Sequence, residues 1–420
     1  AARAKTDLET YVAGVGGGFV GVSASANVNR IANKALVSVL GSDIDAGGAT
    51  GASGSNVTIT ADVDNDATTF VGGVAAGAVG AAVAALVNLF ESNSYVTVGA
   101  SGTQNSDITA SGSATLDATT DLKTSAVAIS GAGGGFAGAI SANVTLAESQ
   151  TKVEVGANQT VSATGTVTLH ANEAIDIAGT VGSVAVGAVS VGASLDYARF
   201  GGSVRVVTGN DTRVQSQGDV NLRAISSRQV GSTVVVGTVG GSALAAAVSL
   251  ASVGATASDS DATTMLGTVN SELQGSQEGS SGDANRDRSS AGKLTTYAGG
   301  TGSANSVKSQ RRGVNVLAGA SADRVAVEVG GGSRILAGND LSAEASASTS
   351  LRQLGGAASL TASAGAVSGT VVANVGTTAI VDIGAGANVR ANRTILMNAN
   401  TGGVNGGNVI TAGAATVGAS

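Results

Sequence analysis

The chain of 420 residues has no cysteine, no proline and no tryptophan, and only 1 histidine, 5 phenylalanines and 4 tyrosines. Without cysteine there is no disulfide scaffold, no Cys-based zinc site and no thiol nucleophile. At ordinary usage of about 5%, roughly 21 prolines would be expected. Proline deletes a ladder hydrogen bond and is confined to edges, strand starts and bulges. Its absence suits a chain paired with neighbours along most of its length. Charge is also scarce: 22 basic and 29 acidic residues make 12% of the chain and a net charge of −7, about half the usual charged share. A nucleic-acid binder would show a basic patch and stacking aromatics, and neither is present. A hydrophobic fraction of 43% with so little charge excludes ordinary disorder. What is abundant is glycine, with 64 residues, roughly twice the average share.

Two short signatures recur in fixed order. One alternates and ends in glycine, as in Val96-Thr-Val-Gly99, Val153-Glu-Val-Gly156, Val204-Arg-Val-Val-Thr-Gly209 and Val327-Glu-Val-Gly330. The other is apolar-x-apolar-x-Ala: Val57/Ile59/Ala61, Ala114/Leu116/Ala118, Val167/Leu169/Ala171, Val220/Leu222/Ala224, Leu341/Ala343/Ala345 and Ile395/Met397/Ala399. The first positions of the second signature lie 57, 53, 53, 121 and 54 residues apart. The long gap is one repeat plus an insertion. A fixed period of this length marks a solenoid, propeller or array.

Within each repeat a Gly-rich corner precedes a long alternating run. Gly133-Gly-Gly135 leads into Phe136, Gly138, Ile140, Ala142, Val144 and Leu146, which share one side of a strand. Val184 and Val186 are even-numbered while Val189 and Val191 are odd. Since a one-residue phase change flips every side chain, Gly187 marks a bend. The apolar set is expected to face a narrow core, and Ala137, Ala139, Ser141, Asn143 and Thr145 to face out. No segment sustains helical apolar spacing between caps. The expectation is all-β: a parallel β-helix or solenoid built from about 54-residue repeats, right-handed by the usual rule for parallel crossovers. Each repeat reads as about four strands wound into two or three coils, making some 15–20 coils and a rod on the order of 70–100 Å long. The domain plan is solenoid over 1–257, a polar insertion over 258–313, and solenoid again over 314–420.

The uncharged run Ala67–Phe90 is long enough to span a bilayer, but it alternates with period 2 and reads as a core strand; no transmembrane segment is expected. Nine aromatics placed irregularly cannot make the two girdles of a membrane barrel. Residue 1 opens mid-repeat, without a basic region and apolar core of a signal peptide. Asp62, Asp64 and Asp66 alternate as calcium ligands might, yet the glycine and distal glutamate of such a loop are missing, so a solvated turn or strand end is expected. Asp43/Asp45 and Asp259/Asp261 are weaker cases. His170 alternates out of phase with Val167, Leu169 and Ala171 and is expected to face outward on a short strand; one histidine without cysteine makes neither a three-ligand zinc site nor a convincing triad. Thr58/Thr60 and Thr166/Thr168 suggest an ice-binding face, but the rank is broken by Thr115/Asp117, Asn221/Arg223 and Ser342/Glu344. The insertion concentrates Ser, Gly, Asn and charge. It reads as a loop off the rod or as a recognition element, and its Arg311-Arg312 pair as a weak protease site. No catalytic, cofactor-binding or metal residues are assigned.

Val153-Glu-Val-Gly156-Ala-Asn and Gly165-Thr-Val-Thr-Leu-His-Ala171, with the missing proline and cysteine, resemble the repeat regions of large bacterial filamentous haemagglutinin-like and leukotoxin-type filamentous adhesins. The resemblance covers almost the whole chain outside the insertion. The family's amino-terminal secretion domain, with its Asn-Pro motif, has no counterpart here, nor has a translocator barrel. The resemblance implies right-handed β-helices, an extracellular or cell-surface location, and adhesive or scaffolding work without catalytic residues.

The expected function is therefore a non-catalytic, glycine-rich segment of a bacterial extracellular fibre, a stiff stalk for surface attachment or biofilm assembly. Its expected partners are other copies of itself, laterally or end to end, or host and matrix glycans or proteins; no nucleic acid and no cofactor are expected. The rivals are a polysaccharide lyase or hydrolase on the same fold, and a pure filament subunit without ligand. Thr6-Asp-Leu-Glu-Thr10 matches Thr120-Asp-Leu-Lys-Thr124, so both ends fall within a repeat, and a longer parent chain or end-to-end stacking is expected.

Overall fold

The computed structural model describes residues 1–47, 54–99, 105–254, 324–404 and 410–412. All regular structure there is β, and the strand pairings are parallel. Coil one comprises β1 (Ala2–Gly17), β2 (Val20–Val39) and β3 (Ile44–Ala46). Coil two repeats it with β4 (Val57–Ala76), β5 (Val79–Val98) and β6 (Ile108–Ala110). In coil three both legs run through one element, β7 (Ala114–Val155), followed by β8 (Thr160–Ala163). Coil four is β9 (Val167–Thr208) and β10 (Arg213–Ser216). Coil five is β11 (Val220–Val253), β12 (Arg324–Val329) and β13 (Arg334–Ala337). Coil six is β14 (Leu341–Val375), β15 (Thr378–Ile383) and β16 (Asn388–Ala391). β17 (Ile395–Val404) and β18 (Ile410–Ala412) begin a seventh.

The fold is thus the expected parallel β-solenoid, but one repeat is one coil. Ala114 pairs with Val167 and Val167 with Val220, each 53 residues on. Val57 pairs with Ala114, and Leu341 with Ile395. The expectation of two or three coils per repeat is wrong, and so is the long rod. Six coils at about 4.8 Å rise only about 30 Å; the residues go into the girth of each coil instead. An outgoing leg such as β4 and a return leg such as β5 have 20 residues each, roughly 66 Å when extended. They lie face to face as a flat blade, closed at one end by the Gly corner and at the other by the short basal strands β3, β6, β8, β10, β13 and β16, which stack as a separate sheet.

Side-chain size explains the taper. At the base, Val57, Ile59, Val96, Val98, Ile108, Leu116, Val161 and Leu169 form one large cluster. Further out come Phe90, Leu122, Ile175, Ile177 and Phe200, then Val71, Leu86, Val181 and Val234 among alanines. Nearest the corner the core is Ala75, Ala82, Ala132, Ala137, Ala139 and Ala185. Small side chains let the two legs converge for a sharp reversal. A Cβ on Gly134 would lie 2.1 Å from the Gly77 carbonyl oxygen, and one on Gly187 2.4 Å from that of Gly134. The corner is therefore glycine because the preceding coil's backbone occupies the space.

The glycine that ends the return-leg signature has the same origin. A Cβ on Gly209 would lie 2.4 Å from the Ala157 nitrogen, and one on Gly330 2.4 Å from the Gly209 carbonyl carbon. The turn that follows needs a left-handed residue, supplied by Asn158 (φ 61°), Asp211 (φ 56°), Gly332 (φ 69°) and Gly386 (φ 75°). Asn, Asp and Gly tolerate that region best.

The facing of the return legs is opposite to expectation. Ala137, Ala139, Ser141, Asn143 and Thr145 are buried, whereas Phe136 is 60% exposed. Val20, Val22, Val28 and Val79 likewise point outward, and so do Val184, Val186 and Val189 on either side of the Gly187 corner. Alternation was read correctly, but near the corner the set that faces the core is the one with the smaller side chains, which lets the legs converge. A Cβ on the inward Gly192 would already lie 2.8 Å from Val236 Cγ1.

Candidate functional site

The outgoing legs carry a charged ladder on their outer basal face. Register aligns Thr60, Asp117, His170, Arg223, Glu344 and Asn398 on successive coils. Four of them meet in pairs across one ladder step: His170 Nδ1 lies 3.0 Å from Asp117 Oδ1, and Arg223 Nε donates to Glu344 Oε2 at 3.0 Å. His170 faces outward as expected, though from within a long leg rather than a short strand. The same register breaks the threonine rank: Thr58, Thr115 and Thr168 are followed by Asn221 and Ser342.

Asp62, Asp64 and Asp66 lie mid-strand in β4, not in a turn or at a strand end. Their alternation puts all three on the outer face, where Arg3 meets Asp62 at 3.2 Å and Lys5 donates to Asp64 at 2.9 Å. Asp121 is the ladder neighbour of Asp64; partial burial, then the carboxylates of Asp64, Asp62 and Asp66, push its pKa above the ordinary carboxylate value. Asp43 works in a turn, accepting a hydrogen bond from the Asp107 amide at 3.0 Å. Asp107 accepts in turn from the Thr160 amide at 2.9 Å, so the basal turns are tied coil to coil by carboxylates. Among the described residues no group of three or more His, Cys, Asp or Glu side chains is disposed to hold a metal ion.

On the return face, Tyr95 stacks between Lys34 and Lys152, whose ammonium groups lie 5.4 and 5.9 Å from its ring. Its hydroxyl donates to Gln150 Oε1 at 2.7 Å. Burial, with help from Glu91, pushes that hydroxyl up to about 12.

Between the legs runs a polar seam that the sequence reading missed. Asn29 donates to Asn88 at 2.9 Å in the next coil, and Asn65 to Ser92 at 2.7 Å across the gap. Asn143 donates to Asp196 Oδ1 at 2.7 Å. Asp196 is fully buried, and that burial pushes its carboxyl up to about 6 against the opposing pull of hydrogen bonds from Ser232 and Asn143. Room for it comes from Gly179, where a Cβ would lie 2.3 Å from Asp196 Oδ2. Glu173 and Arg228 form a buried ion pair, Nε to Oε1 at 2.8 Å with both side chains at 0% exposure. Ser226 donates to the same carboxylate at 2.8 Å, Ser149 donates to its other oxygen, and the guanidinium lies 4.7 Å from the Phe200 ring. The signal was present in the sequence: Glu173 follows Leu169 and Ala171 in the inward phase, as Arg228 follows Leu222 and Ala224.

The outer faces nearest the corner are apolar and uncharged. Val74 (55% exposed) and Val184 (52%) on outgoing legs match Phe136 (60%) on a return leg. The uncharged stretch Ala67–Phe90 occupies this position in coil two, flanked by Asp66 and Glu91. In coil three it is bounded by Lys123 and Glu148. The blade thus ends in a fin, apolar outside and filled within by mostly small side chains, alanines with some serine, threonine and asparagine.

The insertion 258–313, its Arg311-Arg312 pair and Asp259/Asp261 lie outside the described residues. On either side of them, β11 pairs with β9 as far as Val253↔Phe200 and β12 pairs with β9 from Arg324↔Ser203. No described helix is long and apolar enough to cross a membrane. No known protein family, curated protein or solved structure matches the chain.

Proposed function

We propose that the chain is a non-catalytic structural and adhesive segment of a bacterial extracellular β-solenoid fibre, serving as a stiff support for surface attachment or matrix assembly. The observation that carries this reading is the coil-on-coil register. Every coil from the first to the sixth presents the same two legs to the next, in line with the repeat's period. Such stacking satisfies main-chain groups internally and lets length grow by adding units. The repeat style shared with filamentous adhesins supports the extracellular assignment. The described strands on either side of the polar insertion, β11 and β12, both keep register with β9, a placement suited to a recognition element borne on a rigid scaffold.

Deletion of 258–313 in the otherwise intact chain tests the adhesive half. Attachment to cells or glycan arrays is expected to fall while the β-rich circular dichroism persists. Unchanged attachment would assign binding to the coils, and no attachment by either protein would leave a pure filament subunit. Cleavage of acidic polysaccharide that disappears on changing Asp64 and Asp121 to Asn would replace the structural reading with an enzymatic one.

A further inference from the structure

We propose that the apolar fin is a lateral interface between copies of this chain, the outgoing face of one copy seating on the return face of the next. This deepens the structural reading and rests on it, but not on adhesion. Val74, Val184 and Val235 stand 52–55% exposed on the outgoing side. The return side offers Phe136, Ile140, Val144 and Val189 in the outward phase of β7 and β9. In coil five the outward positions Ala246, Val248 and Leu250 are already buried within the chain, as is Ala193 in coil four, which leaves coils one to three of the return face and the corner end of coil four free. Three full coils at about 4.8 Å and about eleven residues at about 3.3 Å give roughly 520 Å² for each partner, so a pair hides about 1,000 Å², the size of a weak, concentration-dependent contact.

Both faces are apolar, which selects the arrangement. A two-fold pair would cover one face of each copy and leave the other in water. Repeated translation covers both and does not close, as heterologous contacts do when no rotation closes them. The charges bordering the fin fit the translation. The hydrogen bond from Asn29 to Thr10 sets Glu9 level with Arg30, and the one between Thr151 and Thr120 sets Lys123 level with Glu148. Asp176 and Arg199 fall within two residues of each other by the Ser194–Ser183 hydrogen bond, while Asp66 against Glu91 is a like-charged level by the Asn88–Thr69 bond. A bilayer suits the fin less well. The described sheet is open rather than closed into a barrel, and unpaired edge groups cost several kcal/mol each in hydrocarbon.

Sedimentation of the full chain over a range of concentrations tests the interface, with two outer-face double variants. Val184→Glu/Val235→Glu blocks the outgoing face, and Val87→Glu/Val144→Glu blocks the return face. Wild type is expected to grow beyond two chains with concentration. Each variant alone should lose that growth, and their mixture should stop at a one-to-one pair, with wild-type circular dichroism throughout. A variant that loses its dichroism is replaced by the single substitution on the same face, read in the same way. A wild-type monomer at every concentration would overturn the proposal, as would variants that assemble like wild type. So would flotation of monomeric protein with phosphatidylcholine vesicles, which would make lipid the occupant. A monomer that still attaches to cells would remove the interface and leave the stalk standing.

Discussion

Burial makes Asp196 harder to ionise in the folded chain than in the unfolded one. Its native carboxyl is pushed from an ordinary 3.8 up to about 6, so the folded chain binds this proton more tightly than the unfolded chain does. The stabilising effect is complete below about pH 4 and is lost as the pH rises through about 6, a change of roughly 3 kcal/mol at about 1.4 kcal/mol per pH unit. Asp121 shifts in the same direction on the outer face and adds to the slope. Asp196→Asn keeps an acceptor for Asn143 and removes the charge. Denaturant midpoints for this variant are expected to exceed wild type at pH 7 and to converge with it near pH 4. Parallel curves would show that Asp196 ionises without penalty. The Glu173–Arg228 pair behaves differently because each charge compensates the other. Glu173→Gln removes the buried counter-charge of the Arg228 guanidinium and is expected to cost about 3–5 kcal/mol, whereas Glu173→Leu with Arg228→Met should recover most of it. Equilibrium unfolding of the single and double variants checks this, and a double variant as weak as the single one would contradict it.

At the scale of the element, the corner decides whether two legs can pack. Gly134→Ala would drive a Cβ to 2.1 Å from the Gly77 carbonyl oxygen at φ 155° and should cost about 1–3 kcal/mol. Gly133→Ala meets nothing within 4 Å and should be nearly neutral; equal effects in thermal unfolding would contradict the geometry. Corners, turns and basal core were legible in the sequence, because glycine and alternating Val, Ile and Leu mark them directly. Val96 and Val98, like Val57 and Ile59, are buried where the pattern put them. The facing of the return leg was not legible. Period 2 gives two faces without saying which is inside, and the habit of placing larger apolar groups inward fails in coil three, where Ser141 and Asn143 face in and Val144 faces out. The mid-strand position of Asp62, Asp64 and Asp66 was hidden for a related reason. Three alternating carboxylates look like a turn until Arg3 and Lys5, 59 residues earlier in register, are brought beside them.

At the scale of the whole molecule, the repeat period equals the circumference of one coil. The consequence is a plate, roughly 65 Å from base to corner and about 30 Å along six coils, rather than a slender rod. Glu173 with Ser226, Asn29 with Asn88, and Asp117 with His170 all depend on that period, because each joins residues one coil apart. The chain has no cysteine, so an introduced pair reports the register without interference. Thr115 and Thr168 face outward on adjacent strands in direct register, about 4.8 Å apart, within the span a disulfide bridges. Thr115→Cys/Thr168→Cys is expected to oxidise to an intramolecular disulfide in the folded protein. With two coils per repeat those positions would stand about 10 Å apart, beyond a disulfide's reach, and free thiols in the folded, oxidised protein would contradict a one-coil repeat.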